Sequence, residues 1–197
     1  MMTQDTGIAG EMIGELVNKN PLVAITLNPK VSIITKEDLK NYRIGSYRNF
    51  TTSHTFASYF VGIPTQPYEK TEIATALTNR EIDIAIILLE DALEIERLGG
   101  EIVYSFIEEF NRFCFTGLTT TNITSNEGKI TNKGFINAIQ ESLRYIRKNK
   151  EKALSDFSMM FSSIKNPEIL FEWYVSCWKE HLVPDEYDTR KSYEIWK

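Results

Sequence analysis

The chain has 197 residues, 42% of them hydrophobic and 25% charged, with a net charge of -5 and an isoelectric point near 5.2. This is the composition of a globular protein with one fair-sized core or two small lobes. The acidic balance disfavours a nucleic-acid binder, and no apolar run approaches the roughly 18 residues needed to cross a bilayer.

Residues 7–19 are mildly apolar and predict a short helix. "PLVAITL" (21–27) reads as a buried strand closed by "NPK". Thr35 followed by Asp38 resembles a capping box and starts a short helix near Lys36. "YRIGSY" (42–47) is a strand, and Phe56, Tyr59, Phe60 and Ile63 recur at helical spacing up to Gly62 and Pro64. Ile73, Ala76 and Leu77 mark another short helix. "IDIAIILL" (82–89) is apolar on both faces, as parallel strands tend to be. A helix over 91–98 ends at Gly99-Gly100, and "EIVYSF" (101–106) is a further strand.

Strands and helices thus alternate three times between residues 33 and 106, the pattern of an α/β domain with a mainly parallel sheet. "RFCFTGLTTT" (112–121) is extended and "NITSNEGKIT" (122–131) a polar loop. From Asn132 a long amphipathic helix places Phe135, Ile139, Leu143 and Ile146 on one face. The remainder is helical and rich in aromatics, among them Phe157, Phe161, Phe171, Trp173, Tyr174 and Trp178.

The two cysteines, Cys114 and Cys177, have no spacing that marks a metal site or a disulfide framework, and both read as plain buried thiols. The first 20 residues lack the cationic start and apolar run of a secretory leader. As written, the sequence implies a cytoplasmic protein; with a leader removed it would be periplasmic or extracellular.

The segment from Gly45 to His54 carries the main candidate site. In open α/β sheets ligands sit beyond the carboxyl ends of the strands, and a helix start there offers free amide hydrogens and a partial positive charge. Ser46, Thr51, Thr52 and Ser53 supply hydroxyl donors, Arg48 a charge, Tyr47 a stacking face or hydroxyl, and His54 an imidazole. Gly45 would let the backbone come close. Ordinary helix capping accounts for one of Thr51, Thr52 and Ser53, but three in a row exceed what a cap needs. A second candidate is Glu90, with Asp91 beside it, where a carboxylate could accept from a cationic or amine ligand; acids are also favoured in any first helical turn. "TGLTTT" (116–121) is a third, although threonine-rich extended chain is first of all strand.

For catalysis the residues offer little. His54 and His181 have no Cys or acid at metal spacing, and neither a G-x-S-x-G elbow nor a Walker A loop occurs. His54 beside hydroxyls could form an acid–base pair but reads first as structural. No metal and no cofactor are expected.

Three segments together resemble the type II periplasmic-binding-protein family over roughly residues 20–155. "ITKEDLKNYRIGSYRNFTTSHTFASYFVGI" is similar to the opening of that family's second lobe, and "ALTNREIDIAIILLEDAL" to the segment that follows it. "FCFTGLTTT" with "GFINAIQESLRYIRKNKEKAL" resembles the crossover strand and the helix after it. The nearest members are solute-binding proteins for nitrate, sulfonates, taurine and thiamine-pyrimidine precursors. The resemblance implies two α/β lobes that close over a ligand by a hinge. It implies one complete lobe at 31–110, and a reduced lobe from 1–30 plus 111–197 that includes a crossover strand and C-terminal helices. It places Ser46, Tyr47, Thr51, Thr52 and Ser53 on the ligand side and Glu90 near the rim.

Family members carry some 60 to 90 further residues before the equivalent of "NPLVAIT", a proline is missing at "EDAL", and the cysteine-rich motif of the pyrimidine-synthesising enzymes is absent. The expected function is binding of a small polar or anionic organic ligand in an interlobe cleft, in transport or sensing, with an ABC transporter permease as a possible partner and with neither nucleic acid nor membrane insertion. A homodimer is expected, because open edges of a truncated lobe need covering. The alternatives are an enzyme on the same fold (pyrimidine-precursor or chorismate-dehydratase-like), a cytoplasmic effector-sensing domain, and a degenerate relative without ligand.

Overall fold

A computed structural model describes residues 11–48, 51–62, 64–107, 115–121, 126–178 and 182. In chain order the elements are β1 (Glu11–Val17), β2 (Leu22–Thr26), a 3-10 helix (Lys36–Asn41), β3 (Ile44–Tyr47), α1 (Thr52–Val61), β4 (Gln66–Tyr68), α2 (Ile73–Thr78) and β5 (Ile84–Leu88). They continue with α3 (Leu89–Glu96), β6 (Glu101–Ser105), β7 (Thr116–Thr120), α4 (Asn126–Lys148), α5 (Lys150–Met160) and α6 (Pro167–Cys177). Two units form: Pro21–Glu109 with Phe161–Leu170, and Met1–Asn20 with Phe110–Met160 and Phe171–Lys197.

The first unit is built on a five-stranded sheet of order β4-β3-β5-β2-β6. β3 runs parallel to β4 and β5, whereas β2 is antiparallel to both β5 and β6. Four of the five strands therefore point the same way, and the sheet is mainly parallel with β2 reversed. β2, which the sequence groups with the N-terminal segment, lies here between β5 and β6. Burial explains that position. All five residues of β2 and Ile84 to Ile87 of β5 are buried, so these strands need neighbours on both edges and cover on both faces. Each large aliphatic side chain so removed from water contributes roughly 1.5–3 kcal/mol.

The 3-10 helix begins at the expected box. Asp38 Oδ2 accepts from the backbone N–H of Thr35 (2.8 Å) and of Ile34 (2.9 Å), and these donors hold its carboxyl below the usual range. Three details differ from the sequence reading. Helix α3 starts at Leu89 rather than residue 91. The β4 strand falls in "QPY", unmarked in the sequence because it is three residues long and contains proline, which only a sheet edge tolerates. Gly45 serves packing: a Cβ there would lie 2.5 Å from Ile82 Cδ1 and 3.2 Å from the Tyr68 ring. The bare backbone is what lets Tyr68 lie across β3.

The second unit pairs β1 antiparallel with β7. The helix expected over residues 7–19 is instead this strand for the described residues 11–17, because the partner that satisfies its backbone comes from some hundred residues away and leaves no local trace. The loop expected over 122–131 becomes the first turns of α4 from Asn126. Of the face expected for α4, Leu143 and Ile139 pack with Leu182, Leu118 and Trp178 and Ile146 is half-buried, while Phe135 stands 53% exposed and Ile136 is buried in its stead. Cys177 is fully buried; Cys114 and His181 lie outside the described residues. Among the described residues no helix is long and apolar enough to cross a membrane.

Candidate functional site

Strands β4, β3 and β5 are adjacent and co-directional, so their carboxyl ends lie side by side. Their last residues are Tyr68, Tyr47 and Leu88. Just beyond these ends opens a recess of about 270 Å³. The β3 exit lines it with Tyr47, Arg48 and Thr51, the β4 exit with Tyr68, Glu69 and Lys70, and the start of α3 with Leu88 and Asp91. Thr51 caps α1 and Leu88 caps α3, so two helix N-termini with their positive dipole ends border the same space. The first turn of α3 holds Glu90 and Asp91, whereas that of α1 holds no acid.

The polar groups of the recess are paired with one another. The Tyr47 hydroxyl donates to Asp91 Oδ2, and the Lys70 ammonium forms an ion pair with Asp91 Oδ1. Arg48 Nε donates to Glu69 Oε1 in a pair exposed on both sides. Asp91 itself is only 7% exposed. Burial, reinforced by the nearby Glu94 carboxylate, pushes its carboxyl up to about 6. Desolvation therefore works against the charge that Tyr47 and Lys70 favour.

Only some of the sequence candidates reach the recess. Tyr47, Arg48 and Thr51 line the recess. The Thr51 hydroxyl is already engaged as the cap: it accepts from the His54 N–H at 3.1 Å and donates to the Arg48 carbonyl at 2.9 Å. Thr52 is exposed at the first helical position, and Ser53 is buried. Ser46 is fully buried in a network away from the recess lining. Its Oγ lies 3.1 Å from His54 Nδ1 and 3.3 Å from Thr65 Oγ1. Thr65 Oγ1 also meets His54 Nδ1 at 3.0 Å and Ser58 Oγ at 3.1 Å. These four side chains tie β3, α1 and the approach to β4 together. Glu90 is half-buried one residue before Asp91 and outside the lining.

Sequence reasoning therefore passed over Tyr68, Glu69, Lys70 and Leu88, and preferred Glu90 to Asp91. One signal could have favoured Asp91. It stands four positions before Ile95, on the face of α3 that the apolar residues Leu89, Ala92, Leu93 and Ile95 bury.

A family model described as NMT1/THI5 like matches residues 1–153. No curated protein sequence matches the chain. Among solved structures, the periplasmic aliphatic sulphonate binding protein from Escherichia coli superposes with a TM-score of 0.73 at 12% identity, over 98% of this chain and 64% of that one. A structural-genomics protein from Archaeoglobus fulgidus gives 0.68 at 16%, over 98% and 74%. The alkanesulfonate-binding protein from Xanthomonas axonopodis pv. citri, bound to MOPS, gives 0.67 at 11%, over 96% and 67%. The chain thus spans 64% to 74% of the length of these proteins, and what it shares with them is the fold.

Proposed function

The chain belongs to the NMT1/THI5-like family, and from that premise we propose that it is a solute-binding protein whose five-stranded unit holds a small polar organic molecule in the recess beyond β3, β4 and β5. The observation that carries this proposal is the position of the recess: three parallel strands end at it and two helices begin at it. Ligands of open α/β sheets gather at such a place. Its volume of about 270 Å³ is near the lower end of ligand pockets, roughly 300 Å³, so the guest is small. The tyrosine rings of Tyr47 and Tyr68 offer flat faces, and Arg48 with the α1 N-terminus offers a seat for an acidic group.

Binding here is non-covalent. The hydroxyl–imidazole pair of Ser46 and His54, a nucleophile and a base by residue type, is engaged in the network with Thr65 and does not border the recess. Two of the fold relatives are named for sulfonates, in keeping with a small organic acid. Transport through a membrane permease and ligand sensing both begin with this step.

Native mass spectrometry of the purified protein, followed by a thermal-unfolding screen against small carboxylates, sulfonates and amino acids, tests the proposal. A true ligand present at 100 times its Kd stabilises by about 2.7 kcal/mol. No retained molecule and no stabilisation by any compound would overturn it.

A further inference from the structure

We propose that the outward face of α4 docks a second copy of this chain, helix against helix and antiparallel, about a two-fold axis between Asn137 and Ala138. The proposal does not involve the recess and stands or falls apart from the solute-binding reading.

α4 is 23 residues long and apolar on more than one side. Ile136, Ile139 and Leu143 pack with Leu118, Leu182 and Trp178. Away from that contact, Ile130 is 73% and Tyr145 53% exposed. A helix that serves one core only carries polar and charged residues there. Ile130, Gly134, Ala138, Glu141 and Tyr145 recur in steps of three and four and are all exposed, so they form one stripe. Glu127 and Lys148 extend it by a further step at either end, to about 30 Å. Its middle is bare: among the described residues, a Cβ added at Gly134 would meet no atom within 4 Å. A glycine inside a helix costs stability, and the close approach of a second backbone gives that cost a use.

The order of residues along the stripe says what fits it. Turned end for end and laid against itself, it sets Ile130 of one copy against Tyr145 of the other, and Glu127 against Lys148. Gly134 comes opposite Glu141, which then stands within one residue's rise, about 1.5 Å along the axis, of Lys133 on the second copy. Each contact occurs twice by symmetry, as an isologous interface requires. A parallel alignment would instead set Glu127 on Glu127 and Lys148 on Lys148. Those two residues stand in the first and last turns, where the helix dipole alone favours their charges. Lys133 and Glu141 stand in interior turns, where it does not, and they carry the charge argument.

Sedimentation velocity of the full chain over a concentration series tests the proposal, with thermal unfolding of each variant as the check on folding. The wild type should move towards twice its chain mass of 22.7 kDa as concentration rises. Glu141→Lys or Lys133→Glu brings like charges together twice and should raise the dimer Kd roughly tenfold. The double exchange should restore it to within about threefold of wild type. Gly134→Leu improves the helix, so the melting temperature should not fall, yet it should abolish the dimer by holding the backbones apart. A monomer at every concentration up to about 1 mM overturns the proposal. So does a dimer that Gly134→Leu leaves intact, or a double exchange that binds no more tightly than the single ones.

Discussion

Two polar clusters sit within one unit and teach opposite lessons. Ser46, His54, Thr65 and Ser58 satisfy one another in the interior, between 3.0 and 3.3 Å apart. Asp91, Tyr47 and Lys70 also satisfy one another, but one of the three comes from a solvent-exposed arm. A closed network of short side chains on rigid elements has nothing to exchange, and its role is to fix β3 against α1. A buried carboxylate whose partner arrives on an exposed lysine is held less firmly, because the lysine gives up rotamer freedom to make the pair. Of the hydroxyls that first draw the eye in the sequence, Ser46 belongs to the first cluster, whereas Thr51 caps α1 beside the recess and Thr52 is exposed.

The difference can be broken experimentally. The largest effect is expected in the closed cluster. Thr65→Val removes a hydroxyl that meets Ser46, Ser58 and His54 at a site 6% exposed. It should cost about 2–3 kcal/mol in urea unfolding, with little change in ligand affinity at the recess. A large change in that affinity would mean that the two clusters are coupled.

Asp91→Asn should act in the opposite direction on stability. Its carboxyl sits above its ordinary value, at about 6, so the folded state holds the proton more tightly than the unfolded chain does. The favourable contribution is complete below about pH 4 and is lost as pH rises through 6, leaving a penalty at neutral pH. The asparagine variant should therefore be more stable than wild type by about 1–2 kcal/mol at pH 7.5 and equal to it near pH 4. An unchanged difference between those pH values would remove the buried charge from the account.

Gly45→Ala sharpens the comparison at the recess wall. The new methyl meets Ile82 and the Tyr68 ring, and overpacking of this kind costs about 1–2 kcal/mol. Because Tyr68 lines the recess, ligand affinity should fall together with stability, whereas Thr65→Val should lower stability alone. The smallest effect belongs to Lys70→Met. An ion pair with an exposed member is worth about 0.5 kcal/mol or less, so a thermal scan should barely register it.

Much of the sheet was legible from single residues. "IDIAIILL" has no polar face to offer water, so it had to be an interior strand, and β5 is one. Thr35 and Asp38 form the box that their spacing announces. What escaped notice depended on distant partners. β1 pairs with β7 across the whole intervening chain, and its local pattern fits a helix nearly as well. Phe135 and Ile136 are neighbours on a helix whose buried face is chosen by Leu118, Trp178 and Leu182, not by the helix itself. At the candidate site, Tyr47, Arg48 and Thr51 could be picked out because a strand meets a helix there. Glu69 and Lys70 could not, because the three-residue β4 has too few residues to show a period.

By itself the sequence determined which segments are apolar enough to become strands and where α1 is capped, since these follow from side-chain type and spacing of a few residues. Only the tertiary structure decided that Ser46 and His54 turn inward, that β4 brings Lys70 over Asp91, and that three strand ends share one recess. Those outcomes depend on which strands lie side by side, and strand order is settled by burial summed over the whole sheet, a quantity that no short stretch of residues contains.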